Sequence, residues 1–290
     1  MLPDFATSVH GITNFNAMSK DLLISVSGGR SSAMVARHIQ TNDKYKDFNK
    51  VYVFANTGME RPETIDFLKN IEKHWGIDLI KVEGVYSTEM GVGIKHKIVD
   101  WDELDIKAKV FENAIEHKNK GDYSGLPNQA APFCSGTMKT MPIEHFAKTY
   151  LEKDYLMAIG MRKEDMPKRI TWAEIREEKR KIYPLITDFE YPIGQHELNI
   201  WWSKQTFKLE IHGKLGNCEL CWKKSTTNLV EAIRHGTRFV DWMREMEAKY
   251  ENTMFRNRMS IDDLVKLAEQ PTTMKIEFED EGDMNCVCSF

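Results

Sequence analysis

Residues 22–38 read LLISVSGGRSSAMVARH, and the succession of residue types in this stretch decides the fold. Leu22 to Val26 is a short apolar run suited to a buried strand. Ser27-Gly28-Gly29 breaks that run, and Met34, Val35 and His38 then recur at helical spacing. A strand, a tight loop and a helix in that order leave several backbone N–H groups free at the positive end of the helix dipole. Glycine lets the backbone approach an anion closely, and the hydroxyls of Ser27, Ser31 and Ser32 add polar groups. The competing interpretation is a plain turn, because Gly-Gly is common in turns. The spacing is too short for a Gly-x4-Gly-Lys-Ser/Thr loop, and the stretch is not Gly-x-Gly-x-x-Gly.

Working outward, residues 50–55 (KVYVFA) form a β-branched and aromatic run that ends in Asn56-Thr57-Gly58. The next helix opens with Pro62, a favoured first-turn residue, and carries Ile65, Leu68 and Ile71 on one face. Leu79 to Val82 supplies a third strand. Two successive strand–helix–strand units predict an open, mostly parallel twisted sheet with helices on both faces and right-handed crossovers. Residues 100–133 turn polar and charged and end in a Gly/Pro-bearing loop, GDYSGLPNQAAPF. A helix is expected from Pro142 to about Leu151, and a strand over 155–160. Short helices follow at 195–204, 225–235, 238–250 and 261–269. In the third of these Phe239, Met243, Met246 and Tyr250 share a stripe that reads as packing. Ser260 before the last, with Asp262 and Asp263 in its first turn, reads as a cap. We therefore expect a nucleotide-binding α/β domain over 1–165 and a mostly helical region over 166–290.

The chain has 290 residues, is 41% hydrophobic and 29% charged, and carries a net charge of −4. These values describe an ordinary globular protein and give no general attraction to nucleic acid. No apolar run suits a membrane span, and the first residues lack a basic segment followed by an apolar core, so a cytoplasmic location is expected. Cysteines stand at 134, 218, 221, 286 and 288. An odd count without a signal segment argues against a disulfide framework and for metal or sulfur chemistry. The nine histidines form no close-spaced ligand pair.

SVSGGRSS resembles the loop of the PP-loop ATP pyrophosphatases, Ser-Gly-Gly-Lys-Asp-Ser in its usual form. Within that superfamily the chain is most similar to the phosphoadenosine phosphosulfate (PAPS) reductase family. There the second strand ends in Asp-Thr-Gly-x-x-x-Pro-Glu-Thr, and here residues 56–64 read NTGMERPET. The resemblance implies the adenine nucleotide α-hydrolase type of fold and binding of ATP or PAPS. Phosphates would sit on Ser27, Gly28, Gly29, Arg30, Ser31 and Ser32, with Thr57 and Gly58 lining the facing edge. Arg30 replaces the family's lysine and keeps its charge, adding a bidentate fork. Ser31 and Asn56 replace two acids, which removes two candidate magnesium ligands. Ile159-Gly160-Met161-Arg162 is similar to the family's Ile-Gly-Ile-Arg, so Arg162 would clamp a sulfate or phosphate.

Cys134-Ser-Gly-Thr-Met-Lys139-Thr-Met-Pro142 resembles the Cys-Cys-x-x-Arg-Lys-x-x-Pro block of iron–sulfur adenylylsulfate reductases, which is followed farther on by Cys-x-x-Cys. Cys218-Glu219-Leu220-Cys221 matches the latter, and Ser135 stands where the second cysteine belongs. Three assignments compete for Cys134, Cys218 and Cys221: a [4Fe–4S] cluster with an open corner, a zinc ion with a further ligand, or buried thiols. Lys139 would neutralise an anionic cluster or substrate. The C-terminal Glu-Cys-Gly-Leu-His segment of true sulfonucleotide reductases is absent, although a thiol of Cys286 or Cys288 could attack a bound sulfonucleotide.

These features imply an enzyme of the PAPS-reductase kind, performing reductive or sulfur-transfer chemistry with Cys134, Lys139 and Arg162 as catalytic candidates. A thiol or sulfide donor would then be a partner. The alternatives are an ATP-dependent adenylating thiolase, whose acceptor could be a nucleic-acid base or a small molecule, and a nucleotide-binding protein without catalysis.

Overall fold

The computed structural model describes residues 21–120, 125–211, 215–216 and 218–271. Asn217, Cys286, Cys288 and the acidic tail lie outside the described residues. The chain forms β1 (Asp21–Ser25), α1 (Arg30–Thr41), β2 (Asn49–Asn56), α2 (Pro62–Trp75), β3 (Leu79–Val85), β4 (Lys95–Val99) and α3 (Lys109–Lys118). A helical stretch follows, made of α4 (Phe133–Ser135), a π segment (Gly136–Thr140) and α5 (Met141–Tyr150). Next come β5 (Leu156–Ala158), α6 (Trp172–Glu177), β6 (Lys181–Ile182), α7 (Pro184–Thr187) and α8 (Gln195–Ser203). The helices α9 (Thr226–Arg234), α10 (Val240–Tyr250) and α11 (Ile261–Glu269) complete the described chain.

The six strands form one sheet in the order β4-β3-β2-β1-β5-β6. β1 pairs in parallel with β2 and β5, β5 pairs in parallel with β6, and β3 and β4 are antiparallel. The expected mostly parallel α/β sheet is therefore present, with an antiparallel edge strand in addition. All five residues of β1 are buried, because a strand flanked on both sides and covered on both faces has no solvent side. β4 was not expected: Lys95, His96 and Lys97 give an edge strand the charged face that discourages further pairing. α3 falls where a polar stretch was expected, and it buries a narrow stripe of Val110, Phe111, Ala114 and Ile115. Among the described residues no helix is long and apolar enough to cross a membrane.

Contacts divide the chain into two compact units, each assembled from three stretches. The first comprises the described parts of Met1–Phe54, Phe67–Ile80 and Ala147–Leu209; the second those of Ala55–Asp66, Lys81–Phe146 and Glu210–Phe290. In the second unit Met59, Phe111, Met138, Trp222, Met243 and Leu264 belong to one apolar cluster. Phe239, Met243 and Met246 of the α10 stripe are buried in it, as packing requires. Ser260 caps α11 by accepting the Asp263 N–H while the Asp263 carboxylate accepts the Ser260 N–H.

The first unit packs α1 against β1, α7 and α8. Trp202 of α8 is buried and lies against Phe67, with ring centroids 5.2 Å apart. Asp188, just after α7, fastens α1 at its C-terminal end. Its carboxylate lies 3.0 Å from His38 Nε2, accepts Lys44 Nζ at 2.6 Å and accepts the Tyr45 hydroxyl at 2.5 Å. Burial by itself raises this carboxyl, but the His38 hydrogen bond and the Lys44 charge outweigh it and hold the group at about 2. A depressed carboxyl contributes stability that is present above its unfolded value and lost as pH falls through the folded one. The shift from 3.8 corresponds to ~2 kcal/mol. In urea unfolding, the stability gap between the wild type and Asp188→Asn is expected to narrow by about that amount between pH 5 and pH 2. A gap independent of pH would contradict the assignment.

Candidate functional site

In the first unit the loop between β1 and α1 is shaped by one hydroxyl. Ser32 Oγ donates to the Gly29 carbonyl at 3.0 Å. A hydroxyl has one proton and two lone pairs, so Ser32 Oγ accepts from both the Ser27 N–H and the Ser27 hydroxyl, each at 3.0 Å. The hydroxyl protons of Ser27 and Ser32 are thus engaged inside the loop, and both side chains brace it. Gly28 adopts φ 76°, a left-handed conformation that a residue with a Cβ resists. Gly29 caps α1 with no side-chain bond. The first-turn amides of a helix have no partner within the helix, and the loop presents those of α1 at its open end.

Two arginines flank this loop in the same unit. Arg30 Nη1 donates to Asn199 Oδ1 at 3.0 Å. Gln195 Nε2 donates to the same oxygen at 2.9 Å, and Arg162 Nη1 donates to Gln195 Oε1. Arg30, Asn199, Gln195 and Arg162 therefore form one hydrogen-bonded chain across α8. Arg162 has a carboxylate neighbour in Glu164, 3.8 Å from its Nε. Burial, and next the charge of Arg162, lower the Arg30 pKa. Such paired positive charge is the complement of an anion. α8 is further fastened to the loop by Trp202 Nε1, which donates to the Arg30 carbonyl at 3.1 Å.

Gly160, which follows β5, lets α1 come this close. A Cβ at Gly160 would stand 2.9 Å from both the N and Cα of Ser32. The sequence showed Arg162 and the loop; it did not show Gln195 and Asn199. Their spacing of four on a helix was the available signal, since residues i and i+4 share a face.

The second unit holds the other sequence-marked residues. Thr57 Oγ1 donates to the Glu60 carboxylate at 2.8 and 2.9 Å and lies 3.4 Å from Cys218 Sγ. Gly58 N–H donates to Asn56 Oδ1 at 3.2 Å. Glu60 pairs with Cys218 in an antiparallel bridge, so the Cys-x-x-Cys segment lies along the Thr57–Glu60 turn. Lys139, 7% exposed, has its Nζ 3.7 Å from Glu60 Oε1, so its charge is answered by a carboxylate of the same unit. Asn56 is fully buried, and its Nδ2 donates to Glu83 Oε1 at 2.6 Å and to the Asp105 carbonyl at 2.8 Å. An aspartate at this position would face the Glu83 carboxylate, a physical reason for the amide here.

Cys134 and Cys218 are half-buried and Cys221 is buried, all as thiols. Among the described residues no group of three His, Cys, Asp or Glu side chains is placed to hold a metal ion. The expected set of Cys134, Cys218 and Cys221, for iron–sulfur or for zinc, is thus not supported. Cys134 Sγ accepts the Trp222 indole N–H at 3.3 Å, and Cys218 Sγ lies against the Thr57 hydroxyl. The turn itself is held by a cation of the chain: buried Lys224 donates from Nζ to the carbonyls of Cys218 and Glu219 at 3.0 Å each. These two bonds tie the ammonium of Lys224 to the backbone of the turn.

The family model of the phosphoadenosine phosphosulfate reductase domain matches residues 21–189, more than half of the chain. The chain belongs to this family. The match takes in the loop, Thr57, Gly58, Cys134, Lys139 and Arg162 of this PAPS reductase domain and ends before Gln195. A nin region protein of Escherichia phage lambda is 29% identical over 264 residues, covering 84% of each chain. An archaeal protein of Methanocaldococcus jannaschii is 24% identical over 161 residues, which are 56% of this chain and 27% of that protein. No solved structure matches the chain.

Two substitutions probe these arrangements. Gly160→Ala is expected to destabilise by ~1–3 kcal/mol, because backbone atoms of Ser32 must move; an unchanged urea midpoint would refute the close approach. Asn56→Asp is expected to cost ~3 kcal/mol at pH 7 by placing two carboxylates in contact. That cost requires both groups to be charged, so it should shrink as pH falls and one becomes protonated. A deficit that stays constant from pH 8 to pH 5 would refute the contact with Glu83.

Proposed function

We propose that the chain is a PAPS-reductase-like enzyme acting on an adenine sulfonucleotide. The amides of Gly28, Gly29, Arg30 and Ser31 seat the phosphate oxygens, Ser27 and Ser32 hold the loop in shape, and Arg30 with Arg162 receives the remaining negative charge. Thr57 and Gly58 act as shapers of the second strand end. The observation that carries this reading is the pair of guanidiniums held beside a glycine loop by neutral amides. Family membership supports it, since the matched domain is that of enzymes handling such nucleotides.

In the reaction this reading assigns, a thiolate attacks the sulfonate sulfur. A sulfur–sulfur bond forms, and the sulfur–oxygen bond to the phosphate breaks, leaving the electron pair on the nucleotide. A second thiol then attacks the sulfonated cysteine, expels sulfite and leaves a disulfide, which accounts for the two electrons. Cys134 and Cys218, both half-buried, are the described thiols this reading draws on, and an external thiol serves as reductant. Arg162 stabilises charge on the leaving phosphate, and Lys139 positions Glu60 and the turn that carries Cys218. No step is assigned to a metal.

Calorimetry with PAPS, ATP and AMP tests the binding claim, and product assays name the chemistry. PAPS is expected to bind most tightly and to release sulfite with a thiol present. Gly28→Val, which forces a β-branched residue into a left-handed turn, is expected to abolish the heat. Pyrophosphate release with ATP would instead establish adenylation before sulfur insertion. No heat from any adenosine phosphate would overturn the reading.

A further inference from the structure

α8 lies beyond the matched domain, yet its polar face reaches the candidate anion site within the first unit. Gln195 and Asn199 are one helical turn apart and donate and accept in series between Arg30 and Arg162. Their chemistry is informative. The usual partner of a guanidinium is a carboxylate, which would cancel its charge. Here Arg30 is held by an amide oxygen, which fixes its direction and leaves its charge intact, while Arg162 is held by the Gln195 amide oxygen with the Glu164 carboxylate 3.8 Å from its Nε. Arg30 has no carboxylate partner among the described residues, and its guanidinium is partly desolvated beside Arg162. The backbone supports the same arrangement, because Gln195 N–H donates to Glu164 Oε1 at 2.7 Å. That bond engages one oxygen of Glu164, whose other oxygen lies 3.8 Å from Arg162 Nε, and Trp202 locks the helix onto the Arg30 carbonyl.

We infer that Gln195 and Asn199 are positioning residues that hold Arg30 and Arg162 at a fixed spacing while keeping both available to a ligand's anionic groups. The inference rests on the proposed nucleotide site and adds its specificity element. The clamp favours nucleotides bearing two separated anionic groups over a monophosphate. It acts through neutrality: an acid in place of either amide would retain the hydrogen bond and neutralise the arginine.

The test uses Asn199→Asp, which keeps size, shape and the acceptor oxygen and changes charge, alongside Asn199→Ala, which removes the acceptor. PAPS and AMP affinities are measured by calorimetry at low and high salt, with thermal unfolding as a control for folding. Asn199→Asp is expected to melt at or above the wild-type temperature, because an ion pair replaces a neutral hydrogen bond. It should nevertheless lose about tenfold or more in PAPS affinity, with a smaller loss for AMP. The salt dependence of PAPS binding should fall with it, since one fewer positive charge is offered. Asn199→Ala should weaken PAPS binding while retaining the salt dependence. If wild-type protein binds PAPS and Asn199→Asp binds it equally well at both salt concentrations, the inference is overturned and the nucleotide site stands. If Asn199→Asp is folded and loses PAPS and AMP affinity equally, the specificity role is overturned. A wild type that binds neither nucleotide overturns the underlying site and this inference with it.

Discussion

The Ser32 hydroxyl is the constraint on which the candidate site depends. By accepting twice from Ser27 and donating once to Gly29, it closes the six-residue loop Ser27–Ser32 with bonds of its own. That closure fixes Gly28 in its left-handed conformation and turns the chain directly from a fully buried strand into α1. A loop braced by its own hydroxyls in this way would lower the ordering cost of the anion binding proposed for it. Gly160 belongs to the same device. Without a side chain there, β5 lets the first turn of α1 sit against its end, and Arg162 follows two residues later.

Much of this was legible in the sequence, and the reasons are local. An apolar run ended by Gly-Gly and followed by helical spacing specifies strand, loop and helix without help from distant residues. The same holds for β2 with the Pro62 start of α2, and for the Ser260 cap. The missed elements owe their form to partners distant in sequence. α3 carries Lys109, Glu112, Glu116 and Lys118 around a narrow apolar stripe, so its charge concealed its periodicity. β4 reads as polar because an edge strand shows its charges to solvent. In the candidate site, Gln195 and Asn199 look like ordinary surface amides, and the neighbouring tryptophans give the stronger signal. Their contacts with Arg30 and Arg162 become visible when α1 and α8 are brought together by folding.

The thiols illustrate how the spacing of a motif leaves its surroundings open. Cys-x-x-Cys followed from the sequence, but the ligands around it could not be read from spacing. In the structure Trp222, Thr57 and the carbonyl-bound Lys224 are the neighbours of these cysteines and their turn. Lys139 shows the same effect, since the charge expected to face an anion lies beside buried Glu60. Asn56 and Glu83 likewise explain a departure from the family motif by local electrostatics.

The most direct measurement is an amide NMR titration of isotope-labelled protein with PAPS. The account predicts saturable shifts at the amides of Gly28, Gly29, Arg30 and Ser31, while the Ser27 amide, bonded to Ser32, stays protected from exchange throughout. Saturable binding that leaves those four amides unshifted would contradict it.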